Sequence, residues 1–181
     1  VADAARGVPR QRLHILRARA VLMACGALER PLVFSGNDRP GVMLAGAVGT
    51  YVHRYAVLPG RRAVFATNND AAYLDAVALA RAGAQVTLAD LRPQAGVQVT
   101  ELARAAGVHI ELATAVVHAQ GDHRVSSCRL APFDIVQGRV TGSDKVLPVD
   151  LVAMSGGWTP TVHLTSHRNI KPAYRADIAC F

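Results

Sequence analysis

Residues Arg62 to Ala76 read Arg-Ala-Val-Phe-Ala-Thr-Asn-Asn-Asp-Ala-Ala-Tyr-Leu-Asp-Ala, which is a strand, a tight turn and a helix in immediate succession. A strand that runs straight into a helix is the first half of a β-α-β unit, and such units build parallel sheets. The spacing is that of a dinucleotide-binding turn, G-x-G-x-x-G or G-x-G-x-x-A. In that turn the first Gly permits the bend, the second lets backbone approach pyrophosphate, and the third lets helix and strand pack closely. Here the three positions hold Thr67, Asn69 and Ala72. Ala72 suits close packing, whereas the Cβ atoms of Thr67 and Asn69 stand where a diphosphate needs bare backbone. The expectation is the frame of a nucleotide domain without its use.

The rest of the chain extends that frame. Leu13–Leu16 and Ala20–Ala24 are apolar, strand-like runs, the second ending at Cys25-Gly26-Ala27. A loop dense in turn formers follows from Leu28 to Gly41, and Val42–Tyr55 has a helical pattern closed by Pro59-Gly60. From there the order is strand Ala63–Ala66, helix Asp70–Ala82, a stop at Gly83, and strand Gln85–Ala89. Helix Pro93–Ala106 and strand Val108–Leu112 complete a three-strand half-sheet. Asp70 is placed as a first-turn acid, and Asn68, Asn69 and Asp70 read as helix-capping residues. Asp90, at a strand end, sits where a ribose-binding carboxylate would lie, but reads better as a turn residue because the phosphate turn is spoiled.

Beyond this, Ala113–Gly121 and Arg124–Pro132 form an antiparallel hairpin or meander, a polar loop spans Gln137–Lys145, and Val149–Ser155 is a buried strand ending at Gly156-Gly157-Trp158. A strand that ends in Gly-Gly brings backbone very near another group. The fold class expected is therefore α/β: a Rossmann-like three-layer β-α-β unit with an added antiparallel β meander.

Composition removes several functions. The net charge of +7 invites nucleic acid, but the arginines from Arg10 to Arg62 are scattered and form no basic helix or aromatic-interleaved stripe, so nucleic acid is not expected. A more acidic partner subunit is the better match for that surface. No apolar run is long enough for a membrane span, and Val1–Gly7 does not read as a signal peptide. The chain opens without Met and stops at Ile178–Phe181 in what reads as the inside of a strand, so it is expected to be a segment of a longer protein. Cys25, Cys128 and Cys180 are far apart and odd in number, which fits a reducing cytoplasm rather than a disulfide framework. His163 and His167 are four apart, but no acid or Cys completes a metal set. No nucleophile–base pair or paired carboxylates emerge either, so neither catalytic nor metal-ligating residues are assigned.

Two levels of resemblance add to this reading. The order of parts resembles two-domain disulfide-reductase-like flavoproteins, in which a strand ending in A-T-G-A leaves a first nucleotide domain and a strand with a Gly-rich turn returns to it. Ala24-Cys25-Gly26-Ala27 matches that exit turn with Cys in place of Thr. More closely, Gly26–Phe34, Asn37–Ala45, Ala66–Tyr73 and Ser155–Leu164 resemble the α subunit of heterotetrameric sarcosine oxidase. The Thr-Asn-Asn-Asp in place of glycines is itself part of that likeness, whereas Thr159 stands where Asn is usual.

The resemblance implies three parts: 1–58 from a partial FAD/NAD(P)-binding-type first domain, 59–148 as the inserted Rossmann-like unit, and 149–181 returning to the first domain. It implies an oxidoreductase subunit in a hetero-oligomeric enzyme that demethylates sarcosine to glycine and forms hydrogen peroxide. NAD would lie mostly outside this segment, with FMN and a covalent flavin (FAD) elsewhere in the holoenzyme. Ala24, Cys25, Gly26 and Ala27 would pass near the dinucleotide or serve only as a crossover turn. Gly156, Gly157 and Trp158 would contact ligand or merely permit close packing. Two other readings stay open: a working NAD(P)H-binding reductase domain, and a non-catalytic subunit-interaction scaffold.

Overall fold

The computed structural model describes residues 11–167, 169–176 and 180–181. Arg10, the Val1–Gly7 stretch and Ile178, on which expectations about charge and chain ends drew, lie outside the described residues. In chain order the elements are β1 (Ala27–Glu29), β2 (Val42–Leu44), α1 (Ala45–Tyr55), β3 (Arg62–Thr67), α2 (Ala71–Arg81), β4 (Gln85–Asp90), α3 (Val97–Ala105) and β5 (His109–Glu111). They continue with β6 (Thr114–Gln120), β7 (Ser127–Asp134), β8 (Arg139–Val140), β9 (Lys145–Pro148), β10 (Leu151–Ser155), β11 (Trp158–Pro160) and α4 (His163–Ser166).

Five strands form a parallel sheet in the order β2-β10-β3-β4-β5. β10 is buried at every residue and β3 at all but Arg62, and both are continuously apolar, as strands covered on both faces must be. The period of two divides their side chains between two layers. Ala63 and Phe65 of β3, Leu88 of β4, and Leu151 and Ala153 of β10 pack with Val48 of α1 and with Tyr73 and Leu79 of α2. Val64, Ala66, Val152 and Met154 face the other way, onto Val116, Cys128 and Leu130 of the meander. That meander pairs β6, β7 and β9 antiparallel, with a register shift between Val116 and His118. The result is helices, parallel sheet and antiparallel meander in three layers, the α/β architecture expected.

Several expectations are corrected. Leu13–Leu16 and Ala20–Ala24 form no strand; Leu13 and Leu22 are 91% and 93% exposed. A strand exists only through its ladder, and no backbone partner for these runs occurs among the described residues. The half-sheet of three strands is a sheet of five, because β10 inserts beside β3 and brings β2 with it. Val42–Leu44, read as helix, is that edge strand, and helix Pro93–Ala106 begins only at Val97. The Gln137–Lys145 loop contains β8 and the first residue of β9. β10 and β2, from outside 59–148, complete the sheet built by β3, β4 and β5. At its lower end Asp150 closes the β3–β10 pair, one carboxylate oxygen accepting the N–H groups of Arg61 and Arg62 at 2.9 Å each.

Burial sets the stability expected of individual side chains. Phe65→Ala, at a fully buried site between sheet and helices, is expected to cost about 3–5 kcal/mol in denaturant unfolding. Val33→Ala, at a side chain 94% exposed, is expected to change stability by no more than about 0.5 kcal/mol.

Candidate functional site

The turn between β3 and α2 lies at the carboxyl end of the parallel sheet, where doubly wound folds bind their ligands. Thr67 is fully buried, and its hydroxyl accepts the Asn69 N–H and contacts the Asn69 carbonyl, both at 3.1 Å. Asn69 Oδ1 accepts the Ala71 N–H at 3.1 Å. Asn69 Nδ2 reaches across the sheet to Ser155, 3.1 Å from both its carbonyl oxygen and its hydroxyl. The N–H groups of Asn69 and Ala71, which a phosphate would seek at a helix start, are thus already engaged by side chains of the turn itself. Asn69 caps α2 as expected; Asp70, at the N-cap position, makes no side-chain cap.

Asp70 is drawn elsewhere. Its carboxylate meets Arg92 Nη2 at 2.7 Å and the Gly96 N–H at 3.4 Å. Arg92 is shared with Asp90, to which it donates from Nε at 3.0 Å, from Nη2 at 2.8 Å and from its backbone N–H at 2.9 Å. The Tyr73 hydroxyl adds a further bond to Asp90 at 2.9 Å. Asp90 is fully buried, so both its oxygens are consumed inside the protein and none faces a ribose. Burial, reinforced by the Asp90 charge, raises the Tyr73 hydroxyl above its ordinary value, while the hydrogen bonds that Arg92 donates to Asp90 raise Arg92. Tyr73 donates and Arg92 stays charged. Asp90 is therefore the strand-end turn residue that the sequence favoured.

The two strands that flank this unit meet. β1 pairs antiparallel with β11, Ala27 opposite Pro160 and Glu29 opposite Trp158. Gly26 extends the ladder by accepting the Thr161 N–H at 3.0 Å, whereas Ala24 and Cys25 are exposed and belong to no element. Gly156 and Gly157 lie against Arg30: the Gly156 N–H donates to the Arg30 carbonyl at 2.7 Å and the Arg30 N–H to the Gly157 carbonyl at 2.8 Å. Gly157 has φ +92°, and a Cβ on Gly156 would stand 3.0 Å from the Pro31 carbonyl oxygen. The close approach signalled by Gly-Gly is an approach to this chain's own loop. Trp158 remains 41% exposed beside it.

Sequence reasoning passed over one acidic pair. Glu29 Oε2 accepts the Gly46 N–H at 2.9 Å, capping the first turn of α1, and the Asp75 carboxylate lies over Gly49 one turn further on, so close that a Cβ there would collide. Burial, with Glu29 as the second cause, pushes the Asp75 carboxyl up to about 6. A signal existed: Asp75 interrupts the apolar stripe Ala72, Ala76, Leu79 at helical spacing. The Asp90-x-Arg92 pairing and Tyr73 were missed because nothing local announces a partner from the neighbouring helix.

A cavity of about 340 Å³ opens beside the turn, lined by Leu32, Phe34, Ala66, Leu91, Val116 and Phe133 among others. Its lining carries no charged side chain. Arg39 is spent on the Gly121 and Asp122 carbonyls. Cys128 is buried in the meander core, which pushes its thiol up to about 12 and leaves it inert. Among the described residues no group of His, Cys, Asp and Glu is arranged to hold a metal ion, and no helix is long and apolar enough to cross a membrane.

Known proteins share this plan. No family model matches the chain. Over the whole chain it is 40% identical to sarcosine oxidase subunit alpha of Rhizobium meliloti (strain 1021), and over 97% of it 37% identical to sarcosine oxidase subunit alpha of Corynebacterium sp. (strain P-1). The chain resembles sarcosine oxidase subunit alpha. It spans only 17% and 18% of the length of these two relatives. Among solved structures, a T. acidophilum thioredoxin reductase superposes with TM-score 0.65 at 16% identity, covering 83% of this chain and 48% of that one. A ferredoxin reductase from Rhodopseudomonas palustris gives TM-score 0.60 at 19% identity, covering 82% and 37%. At such identities the likeness concerns the fold alone, an α/β architecture that this chain shares with those two reductases.

Replacing Asp75 and Asp90 by their amides is expected to move stability in opposite directions. The folded state holds the Asp75 carboxyl above its ordinary 3.8, so ionising it costs stability as pH rises from about 4 to about 6, and that cost is fully present above 6. Asp75→Asn is accordingly expected to stabilise the protein by about 1–2 kcal/mol at pH 8 and by close to nothing at pH 4, read from denaturant midpoints. Asp90→Asn leaves Arg92 and Tyr73 facing a neutral amide and is expected to destabilise by about 2–4 kcal/mol at pH 7 in the same measurement.

Proposed function

We propose that this chain is part of an oxidoreductase subunit resembling sarcosine oxidase subunit alpha, and that the portion in hand is structural and cofactor-positioning. The observation that carries the first half is identity of 40% along the entire chain. The engaged turn at Thr67–Asp70 carries the second. In this reading the complete enzyme oxidatively demethylates sarcosine to glycine and forms hydrogen peroxide in a hetero-oligomer of soluble, cytoplasmic subunits. Flavin and nicotinamide cofactors serve it: FMN and FAD as redox groups and NAD bound to this subunit.

NAD does not fit the Thr67 turn. Two side chains fill the positions of the glycines, the Asn69 and Ala71 amides are already used, and Asp90 is sealed by Tyr73 and Arg92. No step is therefore routed through a dinucleotide at that turn. We place the dinucleotide instead along the crossover, where Ala24, Cys25, Gly26 and Ala27 leave a first nucleotide-binding domain and Gly156, Gly157 and Trp158 return to it. Exposure of Cys25 and of part of Trp158 supports this assignment. Residues 59–148 then form the inserted unit, 1–58 and 149–181 belong with the first domain, and β2 and β10 of those flanking parts complete its sheet. The exposed apolar runs around Leu13 and Leu22 suit strands that find their partners in that domain.

These residues bind, orient and exclude; none of them touches reacting atoms. Titration of the full-length protein with NADH and NADPH, followed by nicotinamide fluorescence, tests the reading. Binding is expected to be unchanged by Asp90→Asn once the protein is confirmed folded. Micromolar binding abolished by Asp90→Asn would instead make the β3–α2 turn a working reductase site. Oxygen uptake with sarcosine as substrate tests the activity of the complete enzyme.

A further inference from the structure

We propose that Asn69 is a positioning residue whose side-chain amide latches the β3–α2 turn to the end of β10, and so holds the Gly156–Gly157 bend where β11 meets β1. The proposal rests on the reading of this unit as structural and gives that role a specific atom pair. Asn69 Nδ2 lies 3.1 Å from both the carbonyl oxygen and the hydroxyl of Ser155, which is fully buried. The next residue, Gly156, donates to the Arg30 carbonyl, and Arg30 donates back to Gly157. Hydrogen bonds at Ser155 and at Gly156, joined by the peptide bond between them, thus link the Thr67–Asn69 turn through the Gly-Gly bend to the loop that follows β1.

The chemistry requires an amide at position 69. Oδ1 must accept the Ala71 N–H to cap α2, while Nδ2 must donate to Ser155, and only a side chain with an acceptor and a donor on one short stem does both. The Gly of a working dinucleotide turn supplies neither. Two consecutive glycines are the least restrained point of a backbone, so a bend built from them keeps one geometry only if its neighbours impose it. Here Ser155 imposes it from one side and Arg30 from the other. The side chain that denies the turn to pyrophosphate is the same one that secures the junction between the inserted unit and the crossover ladder.

Hydrogen exchange of the full-length protein, read by mass spectrometry, tests this with two variants. Asn69→Asp keeps the Oδ1 cap and removes both donor hydrogens; Ser155→Ala removes one acceptor and leaves the turn intact. In Asn69→Asp, peptides covering 156–160 and 28–31 are expected to exchange about tenfold faster, the loss of roughly two ordinary hydrogen bonds, while peptides around Phe65 and Leu88 keep wild-type rates. Ser155→Ala is expected to give a smaller acceleration at the same peptides, and the double variant less than the product of the two effects. Should Asn69→Asp fail to fold, Ser155→Ala alone carries the expectation. Wild-type rates at 156–160 and 28–31, or a uniform rise across every peptide, would overturn the latch. Dinucleotide binding at the Thr67 turn would sink the structural reading without changing those exchange rates, so the two failures are distinguishable.

Discussion

The pairing of β10 with β3 is the interaction from which the rest of the structure follows. β10 is the second-to-last strand in sequence, yet it lies inside the sheet, hydrogen-bonded to β2 on one edge and to β3 on the other. Both of its faces are covered, by helices through Leu151 and Ala153 and by the meander through Val152 and Met154. Ends are fixed as well as faces: Asp150 ties its start to the Arg61 and Arg62 amides, and Ser155 takes the Asn69 amide at its finish. Without that strand β2 has no neighbour in the sheet and the Asn69 amide has no Ser155 to reach. Closing a loop of this length costs little more than closing a shorter one, so the chain can defer its central contact until late.

Electrostatics divides the acids of the unit into two kinds. Asp90 is buried with its charge answered by the Arg92 fork and the Tyr73 hydroxyl, the arrangement that lets a carboxylate remain ionised away from water. Asp75 is burdened by burial and by Glu29 instead, and its carboxyl rises to about 6. The polar groups at this end of the sheet are thereby engaged internally. The acid at the end of β4 binds arginine where a ribose would otherwise be met, and the turn amides bind Thr67 and Asn69 where a phosphate would be. Buried polar groups need partners, and here side chains of the same turn provide them.

Much of this was legible in the residues. The β-α-β order, the meander, the glycine-free turn and the strand ending in Gly-Gly all follow from local periodicity and turn chemistry, and the likeness to sarcosine oxidase subunit alpha, carried by four stretches of residues, is borne out by the comparisons. Legibility failed where a signal needs a partner. Val42–Leu44 passes for helix until β10 lies beside it. Leu13–Leu16 has the composition of a strand and no ladder among the described residues. Asp75 announces itself only by breaking an apolar stripe, and Asp90 looks like a ribose acid until Tyr73 and Arg92 close on it.

By itself, then, the order of residues determined the strand–helix alternation from β3 to β5, and that Thr67 and Asn69 deny the turn its bare backbone. Those properties are local, set by side-chain period and by the atoms a residue carries on its own Cβ. Only the tertiary structure decided that β10 sits between β2 and β3, that Asn69 reaches Ser155, and that Gly156 and Gly157 close upon Arg30. These depend on which distant segments share a hydrogen-bond ladder. Pairing energy of that kind arises between two segments and is written in neither one alone.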